Sequence, residues 1–347
     1  MSQFSGKISG GGFDELILPR LGFDRPNVTQ GPAFGVDVSV VDIGSGMGLA
    51  MTSDPLSLIP SLGLAESAWL SVHLMANDMA TTGHSPMYAQ MVLNLPTTLT
   101  SRDLTTYWEY VHRYCKTIGV AITGGHTGSI EGQNSTIAGG GTMLLTAPLN
   151  EILISSSAKL GDVVIVTKEC ALSAAAILAL SFPRTVNDRL GKEAYDQCSE
   201  LFYQTSSLPD GITAAATGEA SAMHDVTEGG VLGAVYEMAV ASGLGVSIYN
   251  ESLPVGHAQQ QVAGLFGIDQ RSCIGAGSMV IAAKRGGEGK VLNALSAKNI
   301  KATVIGEFTE KAAGRSLITA GQKEELPYYE KDPYWAAFFR ALKLGWK

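Results

Sequence analysis

Apolar and polar positions alternate along the first part of the chain, as half-buried strands require. Two such runs, FGVDVSVVDIG and GLAMTSDPL, lie between about Gly35 and Asp54, and the stretch GSG joins them. We therefore predict a β-hairpin here. Three later segments are also predicted to be strands: YAQMVLNLP, VAITGGHTG and STIAGGGTMLLTA.

Helical periodicity appears in two segments between these strands. ESAWLSVHLMANDMATTGHSP has a rough apolar face, and LTSRDLTTYWEYVHRYCKTIG repeats its apolar residues every three or four positions and ends at Gly119. Asp78 falls near the end of the first helix, where a carboxylate opposes the helix dipole. A purely structural role therefore suits Asp78 poorly.

The segment APLNEILISSSAKLGD is the predicted domain boundary, because it leaves a strand through Pro148 and reaches the next strand through small polar residues. We expect domains at residues 1–150 and 151–320 and an aromatic helical tail at 321–347. The second domain is predicted to contain an Ala-rich helix near 170–182, a helix from Lys192 to Gln204, and the strands DVVIVTK, GVSIYN, GAGSMVIAA and KATVIGEF.

Charge and composition limit the possible functions. The 347 residues carry a formal net charge of −8, which argues against nucleic acid as a partner. We find neither a signal-peptide core nor a membrane-length apolar stretch, so we expect a cytoplasmic protein without membrane contact. The four cysteines are widely spaced, which indicates neither a zinc site nor a disulfide framework.

Aspartates recur beside small residues at the mouths of apolar elements. They are Asp37 with Asp42, Asp54, Asp78 and Asp225, the last in HDVTEGGVLGAVYEMA with Glu228. Any one of them could be a turn or cap residue, and Asp225 could cap the helix that follows it. Gathered together, their carboxylates would repel, and a divalent cation such as Mg²⁺ would remove that cost. In that arrangement Asp225 faces metal, and Gly229 and Gly230 let phosphate approach the helix start.

Two glycine-rich stretches have alternative interpretations. GGHTG, from Gly124 to Gly128, is either a tight strand exit with an exposed His126 or a nest of N–H groups facing phosphate, with Thr127 donating. SGGG at residues 9–12 is either a floppy tail, which its composition favours, or a lid that brings Lys7 to phosphate oxygens.

The chain resembles the aminoimidazole ribonucleotide (AIR) synthase superfamily in five stretches and in their order along the sequence. These stretches are FGVDVSVVD, MTSDPL, ANDMATTGHSP, ITGGHTG and HDVTEGGVLGAVYEMAVASGLGVSI. That superfamily includes phosphoribosylformylglycinamidine cyclo-ligase, the hydrogenase maturation protein that dehydrates a carbamoylated cysteine, selenophosphate synthetase and thiamine-monophosphate kinase. The N-terminal SGGGFDELILPRLG looks most like the hydrogenase maturation branch. The chain ends in LKLGWK without the terminal cysteine of that branch, and no cysteine precedes Cys115, where selenophosphate synthetase has a reactive residue near its N-terminus.

The resemblance implies an α+β fold. Its N-terminal ferredoxin-like α/β domain pairs with a second subunit to close a dimeric β-barrel, and a C-terminal α/β domain follows. ATP and Mg²⁺ would lie in the cleft between the domains. The resemblance implies metal contacts by Asp37, Asp54, Asp78 and Asp225, nucleotide contacts by Asn77, Gly124, Gly125 and Thr127, and a catalytic or substrate role for Glu228. We also predict nucleotide contacts by Ser53 and Lys7 and catalytic roles for Asp225 and His126.

The leading hypothesis is a homodimeric ATP- and Mg²⁺-dependent enzyme. It would transfer the γ-phosphoryl group to an amide-like or phosphate-like oxygen of a small or protein-bound substrate, as AIR synthase does or as a hydrogenase-maturation-type dehydratase does. Selenophosphate synthetase-like and thiamine-phosphate kinase-like phosphotransfer are alternatives. A catalytically silent nucleotide-binding sensor or scaffold is a rival from another class.

Overall fold

The first sheet is built from the N-terminal part of the chain. The computed structural model describes residue 8 and residues 10–347. The sheet has six strands in the order β1-β2-β3-β6-β4-β5: β1 (Val28–Gln30), β2 (Ser39–Gly44), β3 (Met47–Ser57), β4 (Tyr88–Pro96), β5 (Ala121–Ile130) and β6 (Ile137–Pro148). The predicted hairpin is confirmed, since β2 and β3 are antiparallel and joined through Ser45 and Gly46. Both turn residues have positive φ, as a tight hairpin turn requires.

Three helices accompany this sheet: α1 (Gly10–Leu16), α2 (Leu64–Ala80) and α3 (Ser101–Thr117). The two predicted helices are confirmed as α2 and α3, and a capping box between Thr100 and Asp103 starts α3. The element order β3-α2-β4-α3-β5-β6 differs from the expected ferredoxin-like order. The reason is that β4 and β5 are parallel, so α3 has to cross between them.

The second sheet has seven strands in the order β13-β12-β9-β11-β7-β10-β8. They are β7 (Val163–Thr167), β8 (Ala220–Asp225), β9 (Gly245–Tyr249), β10 (Met279–Ala283), β11 (Ala302–Thr309), β12 (Arg315–Thr319) and β13 (Gln322–Glu325). Its helices are α4 (Leu172–Ser181), α5 (Pro183–Leu190), α6 (Lys192–Glu200), α7 (Leu208–Ala215), α8 (Gly230–Ala241), α9 (His257–Phe266), α10 (Glu288–Ser296) and α11 (Pro333–Lys343). Two mixed sheets with flanking helices confirm the α+β class.

Alternate residues of the second sheet contribute to two different cores. Val163 and Ile165 of β7 belong to a core that also contains α2 and the inner face of the first sheet. Val164 and Val166 face α8 on the other side. The helix α2 therefore lies between the two halves and is buried on most of its circumference, which explains why its sequence shows only a rough apolar face.

The domain limits at 150 and 320 stay predictions. The first sheet ends at Pro148 and the second begins at Val163. The tail is not wholly helical, because β13 at residues 322–325 pairs with β12. The helix α11 then packs on α4, α5, α6 and α9 through Tyr334, Ala337, Phe338 and Ala341. Across residue 8 and residues 10–347, no helix is long and apolar enough to cross a membrane.

Candidate active site

Four aspartates from separate elements of both halves approach one another. Asp37 precedes β2, Asp54 lies in β3, Asp78 lies in the last turn of α2, and Asp225 is the last residue of β8. Strand alternation places Thr52 and Asp54 on the same face of β3. The Thr52 hydroxyl donates to Oδ2 of Asp78 at 2.7 Å, and this bond ties β3 to the end of α2.

The pKa of Asp78 reflects the proximity of the other three aspartates. Burial raises the pKa of its carboxyl well above the ordinary value, and the charges of Asp225, Asp54 and Asp37 raise it further, against the hydrogen bond from Thr52. Like charges act on one another this strongly only over short distances in a poorly solvated site. The sequence alone could not establish this proximity, since these residues lie up to 188 positions apart.

Asp37 is fixed by donors from the second half of the chain. Its Oδ2 accepts from the Ser155 hydroxyl at 2.9 Å and lies 2.6 Å from Nδ1 of His224. One ligand atom from each of Asp37, His224 and Asp225 lies within 4.8 Å of the others. Gly35 allows this approach because a Cβ there would lie 2.5 Å from the backbone oxygen of Glu237.

His224 bridges two carboxylates in the interior. Its Nε2 lies 3.3 Å from Oε2 of Glu237, and the Tyr328 hydroxyl donates to Oε1 of Glu237 at 3.3 Å. Burial alone would lower the pKa of His224, but the charge of Asp37 and the hydrogen bonds to Asp37 and Glu237 raise it well above the ordinary value. The ring is therefore an imidazolium near neutral pH.

The turn after β8 lacks the helix cap that Asp225 could have supplied. Asp225 does not cap α8, since it lies in the strand, and the N-cap residue Gly229 makes no side-chain cap. The N–H of Gly229 instead donates to Oδ2 of Asp332 at 2.7 Å. The predicted approach of phosphate to this helix start stays a prediction, and here the carboxylate of Asp332 accepts from one of its N–H groups. Burial raises the pKa of Asp332 to about 6, and the charge of the half-buried Glu228 adds to the effect.

Several predicted site residues lie apart from the four aspartates. Ser53 faces the opposite side of β3 from Asp54, where its hydroxyl pairs with that of Thr142 at 2.8 Å. Gly125 is three strands from Asp54 across the sheet, about 14 Å at about 4.8 Å per strand. Gly124, His126 and Thr127 lie beside it in the same edge strand, so a single chain does not bring them to the acids.

The GGHTG stretch forms neither a strand exit nor a nest of N–H groups, because it continues inside β5. Gly125 permits close packing of two strands. Gly125 has φ +144°, and a Cβ there would lie 1.8 Å from the backbone oxygen of Met91 in β4. Successive N–H groups of a strand point to opposite edges, so they cannot converge on one phosphate.

Asn77 and Lys7 are the remaining predicted nucleotide contacts. Asn77 is fully buried, and its amide donates to the backbone oxygen of Thr205 at 3.0 Å and accepts from the N–H of Ser207 at 2.7 Å. This side chain therefore joins α2 to the second half of the chain. Lys7 lies outside the described residues.

The donor set suits a hard divalent cation. Asp37, Asp54, Asp78 and Asp225 offer carboxylate oxygens, which are the ligands that Mg²⁺ prefers. Sequence reasoning missed Thr52, Ser155 and His224, which contact these acids. It also missed Glu237, which contacts His224, and Asp332, which binds the Gly229 N–H. His224 was detectable from its place next to Asp225, whereas only the fold brings Ser155 and Glu237 to it.

Comparisons with known proteins agree with this architecture. Residues 35–144 match the family "AIR synthase related protein, N-terminal domain", and residues 159–318 match "AIR synthase related protein, C-terminal domain". The Escherichia coli carbamoyl dehydratase HypE is 29% identical over 269 residues, which cover 74% of this chain and 75% of that protein. A crystal structure of E. coli HypE superposes with a TM-score of 0.71 at 27% identity and covers 90% of this chain and 96% of that one.

Two further proteins are similar. A selenide, water dikinase from Aeromonas hydrophila is 25% identical over 255 residues, which cover 72% of this chain and 69% of the relative. A crystal structure of the hydrogenase maturation protein HypE in complex with ATP has a TM-score of 0.70 at 18% identity and covers 93% of this chain and 95% of that one. At this identity the last likeness concerns the fold.

Proposed function

Because the chain belongs to the AIR synthase-related family and is similar to its HypE branch, we propose that it is an ATP- and Mg²⁺-dependent enzyme. It phosphorylates an amide-like or phosphate-like oxygen of a small or protein-bound substrate. The observation that carries the proposal is the convergence of Asp37, Asp54, Asp78 and Asp225 from both halves of the chain.

The relatives support both parts of this reaction. One is named a carbamoyl dehydratase, and a carbamoyl group is an amide. Another is named a selenide, water dikinase, and a third was crystallised with ATP. Phosphorylation turns an amide oxygen into a leaving group, so that water is lost overall or an internal amine closes a ring.

The roles proposed for the individual residues are as follows. Asp37, Asp78 and Asp225 would hold Mg²⁺, with Asp54 beside them, and the bound ion would neutralise charge on the transferred phosphoryl group. Thr52 orients Asp78, and Ser155 orients Asp37. The half-buried Glu228, in the turn that follows Asp225, is the proposed base or substrate contact.

A homodimer is the proposed assembly. The outer face of the first sheet exposes Tyr88 and Val92 of β4, and Ile137 at the start of β6 is also exposed. The residues of β5 are largely exposed, and the strand is at the sheet edge. A second copy covering this face would bury apolar surface and satisfy an open strand edge. Sedimentation equilibrium tests the assembly, and a monomer at micromolar concentration would contradict it.

The experiment that tests the function measures ATP consumption with a panel of carbamoylated, amide and phosphate substrates. The wild type should turn over ATP only with Mg²⁺ and with one class of substrate, and Asp225→Asn should lose at least about 100-fold in kcat, a magnitude typical of removing one electrostatic contact to the transition state. Asp42→Asn is the matched control, because Asp42 accepts from the Gly44 N–H in the hairpin turn. Mg·ATP binding without turnover on any substrate would favour the sensor hypothesis instead.

A further inference from the structure

One oxygen of Asp37 is occupied by two donors from the protein. Oδ2 accepts from the Ser155 hydroxyl at 2.9 Å and from Nδ1 of His224 at 2.6 Å. Both donors come from the second half of the chain, while Asp37 belongs to the segment before β2. Its second oxygen, Oδ1, is therefore the atom of this carboxylate that remains for a cation.

His224 itself is poorly suited to bind a metal, although it lies next to Asp225. A histidine binds metal through an unprotonated ring nitrogen. Both nitrogens of His224 face carboxylate oxygens, Asp37 at 2.6 Å and Glu237 at 3.3 Å. Each ring nitrogen is therefore directed at a carboxylate oxygen of the protein rather than at a cation.

The surroundings hold the ring in this position. The side chain of His224 is 3% exposed, and that of Glu237 is 5% exposed. The Tyr328 hydroxyl donates to the other oxygen of Glu237 at 3.3 Å. Tyr328 in turn stacks on Tyr236 with ring centroids 4.5 Å apart. A chain of contacts thus runs from the tail through Glu237 and His224 to Asp37.

We propose that His224 is a positioning residue: it holds Asp37 by Oδ2 so that Oδ1 faces the divalent cation, and it does not ligate the cation itself. This inference rests on the proposed Mg²⁺ site. Ligating carboxylates are commonly oriented by such hydrogen bonds, and losing the partner typically weakens metal binding by about 10–100-fold.

The test measures Mn²⁺ affinity, as a spectroscopic substitute for Mg²⁺, by electron paramagnetic resonance in the presence of a non-hydrolysable ATP analogue. Turnover does not enter the readout. His224→Leu should bind Mn²⁺ about 10–100-fold more weakly than the wild type. His224→Asn should recover much of the loss, since its amide N–H₂ can still donate to Asp37. Ser155→Ala should weaken binding by less than His224→Leu does.

His73→Leu is the matched control, because His73 is also buried but contacts Ser206 rather than the acids. It should leave Mn²⁺ affinity unchanged. Circular dichroism and the melting temperature establish that each variant is folded, and His224→Asn keeps the test valid if His224→Leu does not fold.

Three results would overturn the inference. Wild-type affinity in folded His224→Leu means that Asp37 needs no positioning. Equal losses in His224→Asn and His224→Leu mean that the imidazole itself is required, as a ligand would be. Absence of Mn²⁺ binding by the wild type overturns this inference together with the proposed function, whereas the first two results leave the proposed function intact.

Discussion

Replacing Asp225 with asparagine should have opposite effects on stability without and with metal. Without a cation, the carboxylates of Asp37 and Asp225 lie with ligand atoms within 4.8 Å of each other. At an effective dielectric constant of about 20, two unit charges at this distance repel by about 3 kcal/mol. The adjacent imidazolium of His224 offsets part of this repulsion. We therefore expect Asp225→Asn to stabilise the metal-free protein by about 1–2 kcal/mol.

With Mg²⁺ and an ATP analogue the order should reverse. Ligand at about 100 times its dissociation constant stabilises a folded protein by about 2.7 kcal/mol, and Asp225→Asn should lose most of this gain. The assay is urea denaturation of both proteins in EDTA and in Mg²⁺ with a non-hydrolysable ATP analogue, at pH 7.5. Asp42→Asn should behave as the wild type in both conditions. Destabilisation of Asp225→Asn in EDTA, combined with an unchanged gain on adding Mg²⁺ and analogue, would refute the reasoning.

Three further predictions concern the surroundings of the site. Burial raises the pKa of Asp332 to about 6, so the folded protein holds this proton more tightly than the unfolded chain. Stability should fall as pH rises from about 4 to 6, by about 3 kcal/mol from this group, and Asp332→Asn should remove that slope in urea titrations at several pH values. Lys168 donates to Asp210 at 3.0 Å and to the backbone oxygens of Ser206 and Gly277. Lys168→Met should destabilise by about 3–5 kcal/mol, since it leaves a buried carboxylate unpaired, and a loss under 1 kcal/mol in chemical denaturation would contradict this. Gly125→Ala should displace β5 from β4 because of the 1.8 Å contact with Met91, lowering the melting temperature; an unchanged melting temperature would show that the strand tolerates a Cβ there.

The sequence predicts those helices and turns whose signal lies within a few neighbouring residues. The hairpin at Ser45 and Gly46 and the helix α3 were predictable, because turn residues, a capping box and regular spacing are encoded within a few positions. The strand β8 was harder to predict, since all of its residues are buried and it therefore shows no alternation. The local conformation of GGHTG was mispredicted because a glycine that permits close strand packing looks the same in sequence as a glycine of a phosphate-binding turn.

In the candidate site, too, some residues could be predicted from the local sequence and others could not. The aspartates could be selected from the sequence, since each is an acid beside small residues at the end of an apolar element. Their partners could not, because Ser155 reaches Asp37 over 118 positions and Tyr328 reaches Glu237 over 91. Such contacts depend on how the two sheets pack around α2. Strand alternation places Thr52, and not the predicted Ser53, on the side of Asp78.

The most direct test of the shared cation site is anomalous scattering from Mn²⁺ in crystals grown with a non-hydrolysable ATP analogue. The account predicts a peak about 2.0–2.3 Å from carboxylate oxygens of Asp37, Asp78 and Asp225, with analogue phosphate oxygens completing the coordination and His224 still on Asp37. A nucleotide bound elsewhere, or Mn²⁺ coordinated by phosphates with none of these three aspartates, would contradict it.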